Sequence, residues 1–356
     1  MNRYRMRFAP QIWKPALSPA LVRWLRPLRE RQQRRIVNID SIDVHGAENF
    51  RESLGAGDGL LIMPNHSSHA DPYVIYAAAD QVSTPLYIMA TWHVFHDRTF
   101  IGQWMLRKHG CFSVDREAND IGAFRLATEI LREKKEPLVI FPEGEIYHCN
   151  DRVTPFREGP AAIALMAAKK ASRPIVCVPC AMKYSYVRDP MPELLELMAR
   201  LEEAVYWRPR PDLTLGERIY HLAEGLLSLK EIEFLGRSSS GPLPERIKAL
   251  IEFTLNRVEA SRGLDSQDVT VPERIKAARQ QAIKRLEGLG EGDASRRSLY
   301  DDLDDVFFVV QLYSYPGNYV SQQPSVERIA ETLDKFEEDV LGAKTATIRG
   351  ARKATV

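Results

Sequence analysis

Short apolar runs alternate with longer segments of helical composition between residues 55 and 188. The apolar runs are rich in Val, Ile, Leu and aromatic residues, a composition and length typical of buried β-strands. These predicted strands lie at 59–63, 85–89, 111–114, 138–141 and 174–178. The helical segments between them lie at 72–80, 119–134 and 160–170. The alternation predicts an α/β domain with a mostly parallel sheet flanked by helices.

Beyond about residue 189 the pattern changes to long helical segments. Three of them open with Pro or Ser followed closely by an acid, at 244–247, 272–275 and 325–329, which is typical of helix N-termini. The likeness between these openings is too short to indicate a repeat. We therefore predict a basic amphipathic N-terminal segment at 1–40, an α/β domain at 41–190 and a mainly helical C-terminal domain at 191–356.

The composition is that of an ordinary globular protein, with 44% hydrophobic and 27% charged residues. Disordered and collagen-like classes are excluded on that basis. The longest apolar run, 161–168, has eight residues, whereas a membrane-spanning helix needs about 20. The basic N-terminus also lacks the apolar core of a secretory signal. We expect neither a transmembrane helix nor a cleaved leader.

The net charge of +1 conceals a strong asymmetry. Residues 1–35 contain ten basic residues and one acid, a net of +9, and the other 321 residues carry 39 basic and 47 acidic residues, a net of −8. One helical stripe of this segment is apolar and comprises Leu21, Trp24, Leu25 and Leu28. Arginines lie opposite, and Pro27 interrupts or kinks the helix. Such a helix suits an anionic membrane surface, although the stripe could instead pack on the protein itself.

The loop after the first predicted strand contains a possible base and its orienting acid. His66 lies five residues before Asp71, which precedes a predicted helix. The aspartate could accept a hydrogen bond from one ring nitrogen and leave the other nitrogen to take a proton. The alternative is a loop histidine beside an N-cap aspartate.

Two further loops follow strands and should meet the first at one edge, because ligands of parallel sheets bind at the carboxyl ends of the strands. Glu143 and Gly144 follow the strand at 138–141, where a carboxylate and a glycine suit close approach to a ligand. A plain polar turn is the alternative. Arg116 follows the strand at 111–114 and is a natural phosphate partner, or else forms a surface salt bridge with Asp115 or Glu117.

Taken together, these loops and their order resemble the glycerolipid acyltransferase family, which is defined by the NHx4D motif. The resemblance rests on four segments: NHSSHAD at 65–71, GCFSVDR at 110–116, FPEGE at 141–145 and IVCVP at 175–179. Four segments in order are more specific than any one of them. The sequence is therefore identified as similar to lysophosphatidic acid acyltransferases.

The resemblance implies transfer of a fatty acyl group from acyl-CoA or acyl carrier protein to a hydroxyl of a lysophospholipid or glycerol phosphate. His66 would be the general base, and Asp71 would hold its ring. Arg116 would bind the acceptor phosphate, while Glu143 and Gly144 would shape the acceptor pocket. The thioester is a co-substrate, so no cofactor, metal or nucleic acid is expected. Lipid substrates imply a cytoplasmic protein bound peripherally to the inner face of a membrane, with residues 1–35 as the contact.

One departure from the family pattern concerns the acceptor. Family members usually continue FPEG with Thr-Arg-Ser, whereas Glu145, Ile146 and Tyr147 follow here. Ile146 thus replaces a second phosphate-binding arginine, a charge that Arg157, with Arg152 in reserve, could supply. Alternatively, the acceptor is a zwitterionic or amine-bearing lipid, which would tolerate Glu145 better.

Two functions of other classes remain as alternatives. The first is a catalytically inactive scaffold that binds membranes. The second is a metallo-hydrolase, because His66 and His69, like His93 and His96, have the spacing of metal ligands. The chain lacks HExxH and paired CxxC motifs. An acidic run at 301–305 resembles a magnesium-binding DDxxD motif, but acids at a helix start are favoured by the helix dipole alone.

Overall fold

A computed structural model of the chain describes residues 11–116, 120–264, 269–343 and 350–356. The chain divides into two compact units. The first, called the sheet unit, comprises Ala9–Asp189 and Arg349–Val356. The second, called the helical unit, comprises Pro190–Ile348. Within the described residues, no helix combines the length and the apolar character needed to cross a bilayer.

The sheet unit alternates strands and helices along the chain. Its strands are β1 Ile39–Asp43, β2 Gly59–Pro64, β3 Tyr87–Thr91, β4 Cys111–Val114, β5 Leu138–Val139, β6 Ile175–Cys180, β7 Lys183–Tyr186 and β8 Arg352–Thr355. Its helices are α1 Pro19–Trp24, α2 Arg26–Arg35, α3 Ala47–Ala56, α4 Asp71–Gln81, α5 Trp92–His96, α6 Phe100–Lys108, α7 Ile121–Glu133 and α8 Gly159–Lys170. The described strands β4-β3-β5-β2-β6 pair in that order, and all of these pairs are parallel. The predicted α/β fold is confirmed.

The central sheet is buried on both faces, which explains why its strands read as continuous apolar runs. Successive residues of β2 point to opposite sides of the sheet. Leu60 and Ile62 belong to a cluster with Val74 and Ile75 of α4. Leu61 belongs to a second cluster, whose helical members on α7 and α8 include Ile130, Leu131, Ile163 and Ala167. The two apolar layers hold the strand ends, and hence the loops that follow them, in fixed positions.

A second, smaller sheet contains β1 and β7, two strands that the sequence pattern does not predict. Its strand order is β1-β8-β7, with β8 parallel to β1 and antiparallel to β7. Residues Arg352–Thr355 therefore pair within the sheet unit, although they follow the long helices in sequence. Helices α3, α5 and α6 are likewise absent from the predicted elements.

The N-terminal arginine-rich segment forms two short helices. Pro27 lies in the first turn of α2, where its missing N–H costs nothing, so the proline starts a helix rather than kinking one. Arg29 is buried and donates from Nη2 to both carboxylate oxygens of Asp80, at 2.7 and 2.9 Å. Trp24 is 76% exposed and Leu28 is 43% exposed. The segment is thus anchored through arginine, and membrane contact through these exposed side chains remains a prediction.

The helical unit consists of long helices joined by short loops. Its elements are α9 Met191–Ala204, α10 Leu215–Leu235, α11 Leu243–Arg262, α12 Val271–Glu287, α13 Ser295–Tyr313, α14 Tyr319–Gln322 and α15 Val326–Leu341. The acidic run at 301–305 lies within α13, where Asp302 pairs with Arg262 and Asp305 pairs with Arg257 at 2.5 Å. These ion pairs account for two of its carboxylates without a magnesium ion.

An ion pair between an arginine and a glutamate recurs at three successive helix junctions. In each, the arginine at the fourth position of one helix binds a glutamate near the end of the preceding helix through two nitrogens. The pairs are Arg218 with Glu202, Arg246 with Glu231 and Arg274 with Glu259, with N–O distances of 2.6–3.0 Å. All six side chains are buried. Two of the similar helix openings in the sequence, at 244–247 and 272–275, thus have one structural role.

We expect Arg246→Met to lower the free energy of unfolding of the helical unit by about 3–5 kcal/mol. Glu231 is 1% exposed, and the substitution would leave its charge buried without a cation. Hydrogen exchange of α10 and α11, measured alongside urea unfolding of the full chain, reports the loss locally. Arg210→Met is the matched control, because Arg210 and Asp212 form an exposed pair. Equal urea midpoints for the two variants would contradict the prediction.

Candidate active site

Three loops meet at the carboxyl edge of the central sheet. His66 follows the end of β2, Arg116 follows β4 and Glu143 follows β5. Because these strands are parallel, their carboxyl ends lie at one edge, and hydrogen bonds connect the loops there. The backbone N–H of His66 donates to Glu143 Oε1 at 2.7 Å, and Arg116 donates from Nη1 to the carbonyl oxygen of Gly144. The structure thus brings the predicted site residues together.

His66 and Asp71 form the predicted pair. His66 Nδ1 lies 2.7 Å from Asp71 Oδ2, and the aspartate is completely buried. The same oxygen accepts the backbone N–H groups of Ser67 at 2.9 Å and Ser68 at 3.0 Å. Asp71 is the first residue of α4, not its N-cap, which is Ala70. The N-cap alternative is therefore wrong, and this carboxylate is held by groups that precede the helix.

Tyr184 completes the surroundings of the carboxylate. Its hydroxyl donates to Asp71 Oδ1 at 2.5 Å. Burial, together with the neighbouring charge of Asp71, raises the pKa of Tyr184 well above its usual value, so the phenol stays protonated and acts as a donor. The side chain of Asn150 binds both the backbone N–H and the carbonyl oxygen of Tyr184, at 3.0 and 2.7 Å. Sequence reasoning missed both Tyr184 and Asn150.

The ring of His66 is held by an aromatic neighbour and remains accessible. It stacks on Phe141, with ring centroids 4.1 Å apart. The histidine side chain is 16% exposed. Within the described part of the chain, Nε2 makes no hydrogen bond, whereas Nδ1 is bound to Asp71. This arrangement leaves Nε2 as the nitrogen that can take a proton from a ligand.

Glu143 connects the loop that contains His66 to the loop that contains Thr154 through hydrogen bonds. Its side chain is 2% exposed, and Oε2 accepts both the backbone N–H of Thr154, at 3.0 Å, and the Thr154 hydroxyl. Since Oε1 accepts the N–H of His66, both oxygens are engaged within the protein. Glu143 therefore fixes the position of His66, and any effect on the acceptor pocket is exerted through these loops. Thr154 was not among the predicted residues.

Gly144 makes room for an arginine. Its backbone φ is +75°, and a Cβ at this position would lie 2.7 Å from Arg157 Nε. The glycine thereby allows the arginine to cross the loop, where Nε donates to the carbonyl oxygen of Glu143 at 3.4 Å. Arg157 thus lies at the same edge as the other predicted residues.

Arg116 has an acidic partner that the family pattern lacks. Its Nη1 lies 2.9 Å from Glu145 Oε2, and its side chain is partly exposed. Of the partners predicted for a surface salt bridge, Glu117 falls outside the described residues. The pair offers a ligand one cation and one anion side by side, instead of an isolated cation.

Two thiols of the sheet unit, those of Cys111 and Cys180, are poorly suited to nucleophilic catalysis. Burial, with a contribution from the charge of Asp71, raises the pKa of Cys180 to about 11. Burial raises the pKa of Cys111 to about 12. Both are protonated near neutral pH, and only the thiolate is an effective nucleophile.

The rings of His93 and His96, which the sequence offers as metal ligands, pack against Trp92. Their centroids lie 3.8 and 5.7 Å from that of the tryptophan ring.

The region that contains these residues is similar to known acyltransferases. The model of the Acyltransferase family matches residues 41–183. A 1-acyl-sn-glycerol-3-phosphate acyltransferase from Streptococcus pneumoniae is 32% identical over 108 residues, which cover 30% of this chain and 37% of that protein. Residues 41–183 thus form an acyltransferase domain. This acyltransferase domain contains all the predicted site residues, whereas Tyr184 lies just beyond its last matched position.

Proposed function

We propose that the protein transfers a fatty acyl group from an acyl thioester, acyl-CoA or acyl carrier protein, to a hydroxyl of a lysophospholipid or glycerol phosphate. The observation that supports this most is the bond between His66 Nδ1 and the buried carboxylate of Asp71, at the ligand-binding edge of an acyltransferase domain. A base held in this way, with its second nitrogen accessible, is what a hydroxyl acceptor requires.

In the proposed reaction, the acceptor hydroxyl gives its proton to His66 Nε2 while its oxygen attacks the thioester carbonyl. The resulting tetrahedral intermediate collapses, the C–S bond breaks, and the thiolate leaves with the proton returned by the imidazolium. Asp71 keeps the remaining proton on Nδ1 and stabilises the imidazolium that forms. The products are the acylated lipid and a free thiol, so no nucleophilic side chain of the protein is needed.

The charged groups at the edge of the sheet bear on the choice of acceptor. Arg157 and Arg116 can approach a phosphate, but Arg116 is already paired with Glu145. A headgroup that contains both a phosphate and an amine would match this pair, with phosphate toward Arg116 and ammonium toward Glu145. This observation favours the second candidate acceptor, a zwitterionic or amine-bearing lysolipid, over a purely anionic one.

Thioester-dependent release of free thiol, measured with a panel of lysolipids, tests the proposal. We expect release only when an acceptor with a free hydroxyl is present, together with an acylated lipid product detected by mass spectrometry. Vesicle binding without thiol release from any donor would instead support the inactive scaffold. Hydrolytic activity lost to a chelator, with zinc in the purified protein, would support the metallo-hydrolase.

Glu145→Gln should change acceptor preference. We expect kcat/KM for an anionic acylglycerol phosphate to rise by about tenfold relative to the zwitterionic lysolipid, because Arg116 loses its anionic partner. Paired assays with the two acceptors measure the ratio directly. Glu158→Gln is the control, since Glu158 is an exposed acid preceding α8. The headgroup assignment fails if the two variants give the same ratio.

A further inference from the structure

Six exposed apolar side chains lie on elements that meet the edge of the sheet where His66 lies. We call them the rim: Phe100, Ile101, Trp104, Ile121, Val153 and Phe156. Their exposed fractions range from 42% for Trp104 to 82% for Phe100. Single exposed apolar residues are ordinary, but a group around one site indicates an interaction surface.

The connection from β3 to β4 brings the first part of the rim to this edge. The two strands are parallel, so β3 ends at the carboxyl edge, whereas β4 begins at the opposite edge. Helices α5 and α6 make the crossing between them. The first turn of α6, with Phe100 and Ile101, therefore lies nearer the carboxyl edge than its last residue, Lys108. Trp104 is one turn further on, with the Lys108 ammonium 5.9 Å from its ring centroid.

The rest of the rim lies on the loops of the candidate site. Ile121 is the first residue of α7, which follows the carboxyl end of β4. Val153 and Phe156 flank Thr154, whose N–H and hydroxyl bind Glu143. Glu143 in turn binds the backbone of His66. A molecule that contacts Val153 and Phe156 is thus connected to His66 through two hydrogen bonds. One runs from Thr154 to Glu143 and the other from His66 to Glu143.

The exposed charges nearest Phe100 and Ile121 occur in pairs of opposite sign. Arg98 is exposed near Phe100, but so is Asp97. Exposed Arg125 near Ile121 is likewise balanced by exposed Glu129 on the same helix. Attraction to this surface therefore comes mainly from its apolar area. A tryptophan beside a lysine is typical of side chains at the interface between lipid and water.

We propose that the rim inserts into the interfacial region of a phospholipid bilayer. The acceptor's hydroxyl would then reach His66 while its acyl chain stays among neighbouring lipids. This inference rests on the proposed function, which requires a lipid acceptor. It differs from a contact through helices α1 and α2, because Arg29 anchors them to Asp80, about 13 Å along α4 from Asp71.

Vesicle binding by the full chain separates the two contacts. Binding through arginines requires anionic lipid and is screened at 1 M salt, where the Debye length is about 3 Å. Insertion of the rim requires neither condition. We expect binding to pure phosphatidylcholine vesicles at 1 M NaCl, measured by co-sedimentation. Phe100→Ser with Ile101→Ser should weaken that binding by about tenfold or more.

The matched control replaces two exposed apolar residues of α10, Leu229→Ser with Ile232→Ser, and should leave vesicle binding unchanged. The thermal midpoints of both double variants should equal that of the parent chain, which excludes misfolding. Binding only to anionic vesicles at low salt would contradict the proposal that the rim inserts into the bilayer. In another outcome, the parent chain fails to bind vesicles and forms a dimer that the rim variant converts to a monomer. That result would show that the rim contacts a second copy of the chain, not a bilayer. Binding to phosphatidylcholine vesicles at 1 M NaCl without thiol release would support the proposed membrane contact and refute the proposed function.

Discussion

His66→Ala is expected to lower kcat/KM for acyl transfer by about 10²–10⁴-fold while the chain stays folded. The ring takes part in the reaction only through Nε2, and its other contacts are Asp71 at Nδ1 and the face of Phe141. Alanine retains the backbone N–H that donates to Glu143, so the loops should keep their positions. Thiol release measures the activity, and circular dichroism with thermal unfolding checks the fold.

His69→Ala is the control for this substitution. His69 lies three residues further along the same loop and is exposed, so its replacement should change kcat/KM only slightly. A similar loss in both variants would indicate that the loop, rather than the base, had been damaged. Full activity of His66→Ala would remove His66 from the reaction and with it the proposed mechanism.

The central part of the site could be predicted because its residues are close in sequence and follow buried strands. Leu60, Leu61 and Ile62 form an apolar run typical of a strand covered on both faces. The loop after such a strand emerges at the carboxyl edge, and five residues suffice to return from His66 to the first turn of α4. Local pattern and spacing therefore permit the His66–Asp71 pair, and the family resemblance selects it over a loop histidine beside an N-cap.

Tyr184 could not be predicted, because its position depends on remote strand pairing. It lies 113 residues from Asp71, on a four-residue strand whose partner β8 follows the long helices in sequence. Tyr184 pairs with Ala354, and the guanidinium of Arg352 lies 5.5 Å from the tyrosine ring centroid. Neither periodicity nor motif spacing carries information about such pairs.

Glu143 shows a different limit of sequence reasoning. Its place after a strand predicts a carboxylate at the ligand-binding edge, and it lies there. Spacing does not reveal which way the carboxylate turns, and its two oxygens bind His66 and Thr154 instead of facing a pocket. The direction depends on Thr154, in a loop without regular structure.

Asp71→Asn is expected to lower kcat by about 10²-fold with little change in KM, because a charge that acts in the transition state is removed. Asparagine can place its carbonyl oxygen at the position that accepts His66 Nδ1 and the N–H groups of Ser67 and Ser68. Its amide nitrogen would then face Tyr184, whose hydroxyl can accept as well as donate. The proton on Nδ1 and the ring orientation are thus retained, and what is lost is the charge that stabilises the imidazolium.

Tyr184→Phe removes the hydroxyl that donates to the second carboxylate oxygen of Asp71. With Asp71 present, it should lower kcat about tenfold and leave KM unchanged, because a positioning residue acts through the carboxylate and does not touch the acceptor. Combined with Asp71→Asn, it leaves the amide nitrogen buried without an acceptor, so the two effects should not add. Tyr186→Phe, two residues along β7, is the matched control. Strictly additive losses, or a raised KM in Tyr184→Phe, would mean that the tyrosine supports the fold or the acceptor rather than Asp71.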